Sequence, residues 1–132
     1  MTTNRGSLVW RSGDAFVPEK LRRFLGTFVY GNYSAPVYIN YWSFVHVMSG
    51  IALAALFIFL EPYFPTARIM NNPYLYGFIV HTVWELWQIA IGMSRPFSAQ
   101  GHNGITDIVL DTAFFMAGMG VVLEGRELIK RK

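Results

Sequence analysis

The chain has 132 residues, of which 53% are hydrophobic and only 14% charged, with a mean hydropathy of +0.32 and a net charge of +3. An ordinary soluble domain carries about 25% charged residues, so this balance, with its apolar residues in blocks, is the signature of a one-domain membrane protein. The absence of cysteine excludes a disulfide framework, a thiolate metal site and a cysteine nucleophile.

The basic residues sit at the ends: Arg5, Arg11, Lys20, Arg22 and Arg23 before the first apolar block, and Arg126, Lys130, Arg131 and Lys132 after the last. Such flanks suit anionic headgroups, each cation contributing about 1 kcal/mol near the surface. Neither end carries an aromatic-basic platform or a recognition motif, so no nucleic-acid partner is expected.

Residues 1–41 read as a polar N-terminal arm and an interfacial aromatic segment. The stretch MTTNRGSLVWRSGD lacks an apolar core of ~7 to 15 residues, so the first apolar block is expected to serve as the insertion signal. PEKLRRFLGTF predicts a surface helix opening at Pro18, with Leu21, Phe24, Leu25 and Phe28 on one side. YGNYSAPVYINYW then gathers Tyr30, Tyr33, Tyr38, Tyr41 and Trp42, rings expected at headgroup level.

Residues 42–123 hold three apolar blocks, predicting three membrane-spanning helices at about 42–60, 74–93 and 105–123. A span needs ~20 residues, which each block supplies. Pro62 and Pro65 end the first, the loop SRPFSAQGHNG follows the second, and residues 124–132 form a basic tail. The expectation is an all-α, multi-pass integral membrane bundle of three spans with an N-terminal interfacial helix. Its orientation is undetermined, because one side collects six Lys/Arg and the other five. A fourth embedded element near Phe24–Ile39 is the structural alternative.

Polar residues recur at helical spacing inside these blocks. His81, Glu85 and Gln88 are i, i+4, i+7 on the second; Asp107 and Asp111 are i, i+4 on the third; Ser43, His46, Ser49 and Gly50 mark the first. A charge at bilayer depth costs roughly 2.5 to 3.5 kcal/mol on insertion scales, so these groups are expected to face inward. Ser49, Gly50 and Ala54 against Ala113, Ala117 and Gly118 would let the helices approach.

The expected polar cluster is His46, His81, Glu85, Gln88, Arg95, Asp107 and Asp111. Carboxylates gathered in a dry site cannot all ionise, so they share protons, bind a cation or meet a guanidinium, for which Arg95 is the nearest internal candidate. Three readings follow. The first is a hydrogen-bond cluster fixing helix packing. The second is a divalent-cation site on His46, His81, Glu85, Asp107 and Asp111, although no metal-specific signature such as HExxH assigns it, so no cofactor is expected beyond that option. The third is acid-base chemistry on a lipid-linked or phosphorylated substrate, with Glu85, Asp107, Asp111 or His81 as catalytic candidates. A proton or ion pathway, built by a homo-oligomer, is a further option. Trp84, Trp87, Phe114 and Phe115 read as packing or lipid-facing surface, His102 as a solvated residue, and the span Ser and Thr as bonding their own backbone.

Glu85, Gln88, Arg95, Asp107, Asp111, Gly118 and Gly120 together resemble the VanZ-like group of small bacterial membrane proteins, and AQGHNGITDIVLDT is similar to YjdF-type membrane proteins. The match covers about residues 75–123; this chain has fewer spans, a longer loop between Arg95 and Asp107, and Asp111-Thr112 where an Asn is typical. The resemblance implies a membrane fold with a polar centre. YINYWSFVHVMSGI, HTVWELWQIAIGM and DIVLDTAFFMAGM also resemble small membrane proteins of large DNA viruses of algae and protists, which implies a virion membrane and capsid or other membrane proteins as partners. On these grounds the expected role is structural or scaffolding, with membrane lipid as the first partner and enzyme activity as the alternative.

Overall fold

A computed structural model describes residues 18–32, 35, 37–90 and 104–132. In chain order these give α1 (Glu19–Leu25), β1 (Phe28–Tyr30), β2 (Ile39–Asn40), α2 (Tyr41–Leu60), α3 (Arg68–Asn71), α4 (Pro73–Ala90) and α5 (Gly104–Lys130). The described residues are therefore mainly helical, with one small antiparallel ribbon. They group into two compact units, one drawn from residues up to Trp42 and from Val83–Val109, the other from Ser43–Thr82 and Leu110–Lys132.

In the first unit α1 begins just after Pro18 and ends at Leu25, where Thr27 N donates to Phe24 O at 3.0 Å. Phe28, expected on that helix, instead opens β1 and pairs with Asn40, while Tyr30 pairs with Ile39. Gly31 allows the chain to leave β1: its φ is +71°, and a Cβ there would lie 2.9 Å from Val37 O. The aromatic segment expected at headgroup level is thus partly a hairpin. Phe24 stacks on Tyr41 at 4.8 Å, Phe28 meets Tyr38 edge-on at 5.5 Å, and Tyr38 is buried while Tyr30 is exposed. Among the described residues the Phe24–Ile39 region holds the end of α1 and the strand β1, with β2 beginning at Ile39.

The second unit is built on helix faces. α2 runs 20 residues and buries Ser43, His46, Gly50, Ala54 and Phe57, a stripe stepping by three and four. Glu61 and Pro62 close it; Glu61 N still reaches Phe57 O at 3.0 Å, and no N–H exists at Pro62 to continue. α4 begins with Pro at its first position, where the missing donor costs nothing. α5 places Asp107 in its first turn and Lys130 in its last, both favourable toward the helix dipole.

α2 and α5 cross at two glycines. A Cβ on Gly50 would sit 2.0 Å from Phe115 O, and one on Gly118 would sit 2.1 Å from Val47 O. Each glycine therefore admits the backbone of the other helix. Gly77 on α4 admits the Met119 thioether in the same way. Beside this crossing Ala54, Phe57, Phe115 and Met119 form the apolar core, with Leu53, Ile69, Met70, Tyr76, Met116, Val122 and Leu123 packed around it. Ser49, Ala113 and Ala117, expected at the crossing, are exposed instead.

α5 does not stop near Leu123 but runs 27 residues to Lys130. Two contacts hold its last turns: Tyr74 donates to Glu124 Oε1 at 2.7 Å, and Arg126 pairs with Glu61.

Among the described residues two helices are long and apolar enough to cross a membrane: Tyr41–Leu60, with mean hydropathy 2.2, and Ile105–Lys130, with 1.6. α4 is not among them over its 18 described residues, because His81, Glu85 and Gln88 dilute its apolar side chains.

Candidate functional site

The buried stripes carry polar groups where a water-soluble helix carries Leu. His46 on α2, His81 on α4 and Asp111 on α5 are all buried, and each helix presents one of them. They are linked in series. His46 Nε2 lies 3.1 Å from Asp111 Oδ2, His46 Nδ1 lies 3.1 Å from His81 Nε2, and His81 Nδ1 lies 3.3 Å from Thr112 Oγ1. The path leaves α5 at Asp111, crosses α2 and α4, and returns to α5 at the very next residue. It is a closed clasp around three helices.

The chemistry of each atom sets the direction of the links. An ionised carboxylate only accepts, so His46 donates to Asp111 from Nε2 and keeps a lone pair on Nδ1. With both rings neutral, His81 donates from Nε2 to that lone pair, and the Thr112 hydroxyl donates to His81 Nδ1. Every member of the chain is then satisfied by its neighbours. The rings are also fixed by packing: His46 meets His81 at 67°, with centroids 5.2 Å apart, and His81 lies over Phe115 at 4.6 Å. A buried network satisfied in this way specifies one arrangement of its helices, since any displaced member strands a polar group away from water.

Asp107 accepts from the Tyr38 hydroxyl, so the two α5 aspartates have different partners. Glu85 and Gln88 follow His81 along α4 by four and seven residues, and both are buried, Glu85 being 3% exposed. Arg95 and His102 lie outside the described residues. Of the aromatics, Trp84 and Trp87 pair at 5.0 Å, with Trp84 exposed, whereas Phe115 belongs to the core.

Two participants were not among the residues singled out from sequence. Thr112 contacts an imidazole, although Ser49 and Thr82 do bond their own helices, to Val45 O and Phe78 O at 2.8 Å each. Its signal was its place beside Asp111. Tyr38 read as an interfacial ring, and only the hairpin brings its hydroxyl to Asp107.

The polar lining contrasts with the opposite helix faces. α2 exposes Phe44, Val45, Met48, Leu56 and Phe59; α4 exposes Leu75, Phe78, Ile79, Val80, Val83, Trp84 and Leu86; α5 exposes Ile105, Val109 and Val121. Exposed apolar patches of this extent mark contact with protein or membrane. No protein-family model, curated protein or solved structure matches the chain.

Proposed function

We propose that this chain is a small multi-pass integral membrane protein with a structural or scaffolding role, whose three long helices span the bilayer and are keyed together by the Asp111–His46–His81–Thr112 clasp. The observation that carries the reading is the inversion of polarity on α2, α4 and α5: histidine, carboxylate and amide side chains are buried while Phe, Leu, Ile and Val face outward. Lipid tails match such an exterior, and acids at that depth turn inward because exposure to hydrocarbon is costly. The apolar sequence continues past Ala90 through Ile91, Gly92 and Met93, so the second apolar block has the ~20 residues that a span needs. Anionic lipid is the partner for the basic ends.

The cysteine-free sequence makes the topology directly testable. Single cysteines replacing Thr66, between α2 and α4, and Ser98, between α4 and α5, should react with a membrane-impermeant maleimide from opposite sides of sealed vesicles. Val83→Cys, on the exposed face of α4, should resist it. Labelling of Thr66→Cys and Ser98→Cys from the same side would remove the middle span.

A second reading follows from the burial of His81 and Glu85 on one face of α4. There the VanZ-like resemblance would mean a membrane enzyme acting on a lipid-linked or phosphorylated substrate, with a carboxyl or imidazole of that face moving the proton. Glu85→Gln would then leave insertion intact and abolish turnover. Under the structural reading the same variant has no turnover to lose.

A further inference from the structure

We propose that the facing nitrogens of His46 and His81 form a binding site for a borderline divalent cation, Zn²⁺ in preference to Mg²⁺. The proposal uses the clasp geometry and does not depend on how many helices cross the membrane.

Four atoms carry it. The outer nitrogen of each ring rests against an oxygen, His46 Nε2 on Asp111 Oδ2 at 3.1 Å and His81 Nδ1 on Thr112 Oγ1 at 3.3 Å, while the inner nitrogens face each other at 3.1 Å. Asp111 fixes the tautomer of His46, leaving its Nδ1 lone pair directed at His81. Threonine is both donor and acceptor, so a turn of its hydroxyl lets His81 donate outward from Nδ1 and aim a lone pair inward as well. Two nitrogens at this spacing that both present lone pairs repel, and a cation bound to both relieves that repulsion.

An imidazole ligand whose other nitrogen is held by a carboxylate or hydroxyl is the arrangement that orients histidine toward a metal and raises its basicity. The spacing also fits. With Zn–N bonds of about 2.0 to 2.1 Å, nitrogens 3.1 Å apart subtend roughly 100° at the ion, near the tetrahedral angle, with the ion beside the line joining the nitrogens and each ring tilted to aim its lone pair at it. Water or a carboxylate oxygen completes the coordination. Nitrogen donors select zinc and its neighbours, whereas Mg²⁺ and Ca²⁺ require oxygen. The ion would take the place of the hydrogen shared by the two rings, turning a hydrogen-bonded clasp into a coordinated one.

The test is a calorimetric titration of the full chain, tag-free in detergent and stripped with a chelator, against Zn²⁺ and separately against Mg²⁺. One equivalent of zinc per chain and no magnesium is the expected result. His46→Gln and His81→Gln should each abolish the uptake, His102→Gln should preserve it, and Asp111→Asn should weaken it about 10- to 100-fold. Circular dichroism reports whether each variant keeps its helices; should the histidine variants unfold, Co²⁺ added to the unaltered chain should give the visible absorption of a nitrogen-ligated tetrahedral ion. No zinc uptake, zinc retained in the His46→Gln/His81→Gln double variant, or a cobalt spectrum of all-oxygen ligation would each overturn the proposal.

Discussion

Within the second unit, the helices meet at two levels that could hardly differ more in chemistry. One level is Ala54, Phe57, Phe115 and Met119, packed without a polar atom except the thioether. The other is His46, His81, Asp111 and Thr112, which are linked across the helices by hydrogen bonds. Phe115 borders both, as a core residue that lies against the His81 ring. In water the apolar level would dominate, because burial there removes hydrocarbon from solvent. In a bilayer the lipid is as apolar as the core, so close packing and hydrogen bonds have to hold the helices. The apolar level then supplies fit, and the polar level supplies register.

The sharpest way to break this contrast is at the crossing between the two levels. Gly118→Leu would drive a side chain into the Val47 carbonyl, which no rotamer avoids, and should separate α2 from α5 at a cost of about 3 kcal/mol or more, read as loss of cooperative unfolding in detergent. Next in size is Met119→Ala, which leaves a void at a residue that is 0% exposed; about 2 to 5 kcal/mol is expected in a soluble core, and a value well below that range would show that lipid or neighbouring side chains fill the space.

The polar level should respond less strongly but more specifically. Asp111→Asn and His46→Ala are each expected to cost about 1 to 2 kcal/mol, and their double-mutant cycle should give a coupling of about 0.6 to 1.7 kcal/mol; additive effects would show that the Asp111–His46 link is not worth more than its separate parts. The smallest effect belongs to the exposed ties at the end of α5. Tyr74→Phe removes one exposed hydrogen bond to Glu124 and should cost at most about 1 kcal/mol, measured as a small drop in midpoint temperature with unchanged helix content.

Much of the helical structure was legible in the sequence, and the reason is periodicity. His81, Glu85 and Gln88 share one buried face because a helix repeats every 3.6 residues, and polar side chains in an apolar block stand out against it. Gly50, Ala54 and Gly118 could be read as contact residues for the same reason. What periodicity cannot show is which of several small residues on a helix meets the neighbour: Ser49, Ala113 and Ala117 differ from the true contacts only by rotation about the axis.

The N-terminal region hid its structure more completely. Tyr30, Tyr38 and Tyr41 look alike in composition, yet Tyr30 is exposed on a strand while Tyr38 is buried and donates to Asp107, 69 residues away. Only the pairing of β1 with β2 separates them, and two- and three-residue strands leave no alternation to read. The length of α5 was missed for a different reason. Hydropathy falls after Leu123, but Glu, Arg, Leu, Ile and Lys are capable helix formers, so the helix continues where the apolar block stops.

The closing of the clasp on two consecutive residues gives α5 a mechanical property. Adjacent positions on a helix differ in azimuth by about 100°, so Asp111 and Thr112 clamp α5 from two directions at once. Turning this helix about its long axis in either sense pulls one of the pair off its imidazole, as a keyed shaft jams when twisted in its collar. Sliding along the axis meets the same obstruction. Rotation of α5 is therefore resisted through two histidines at once.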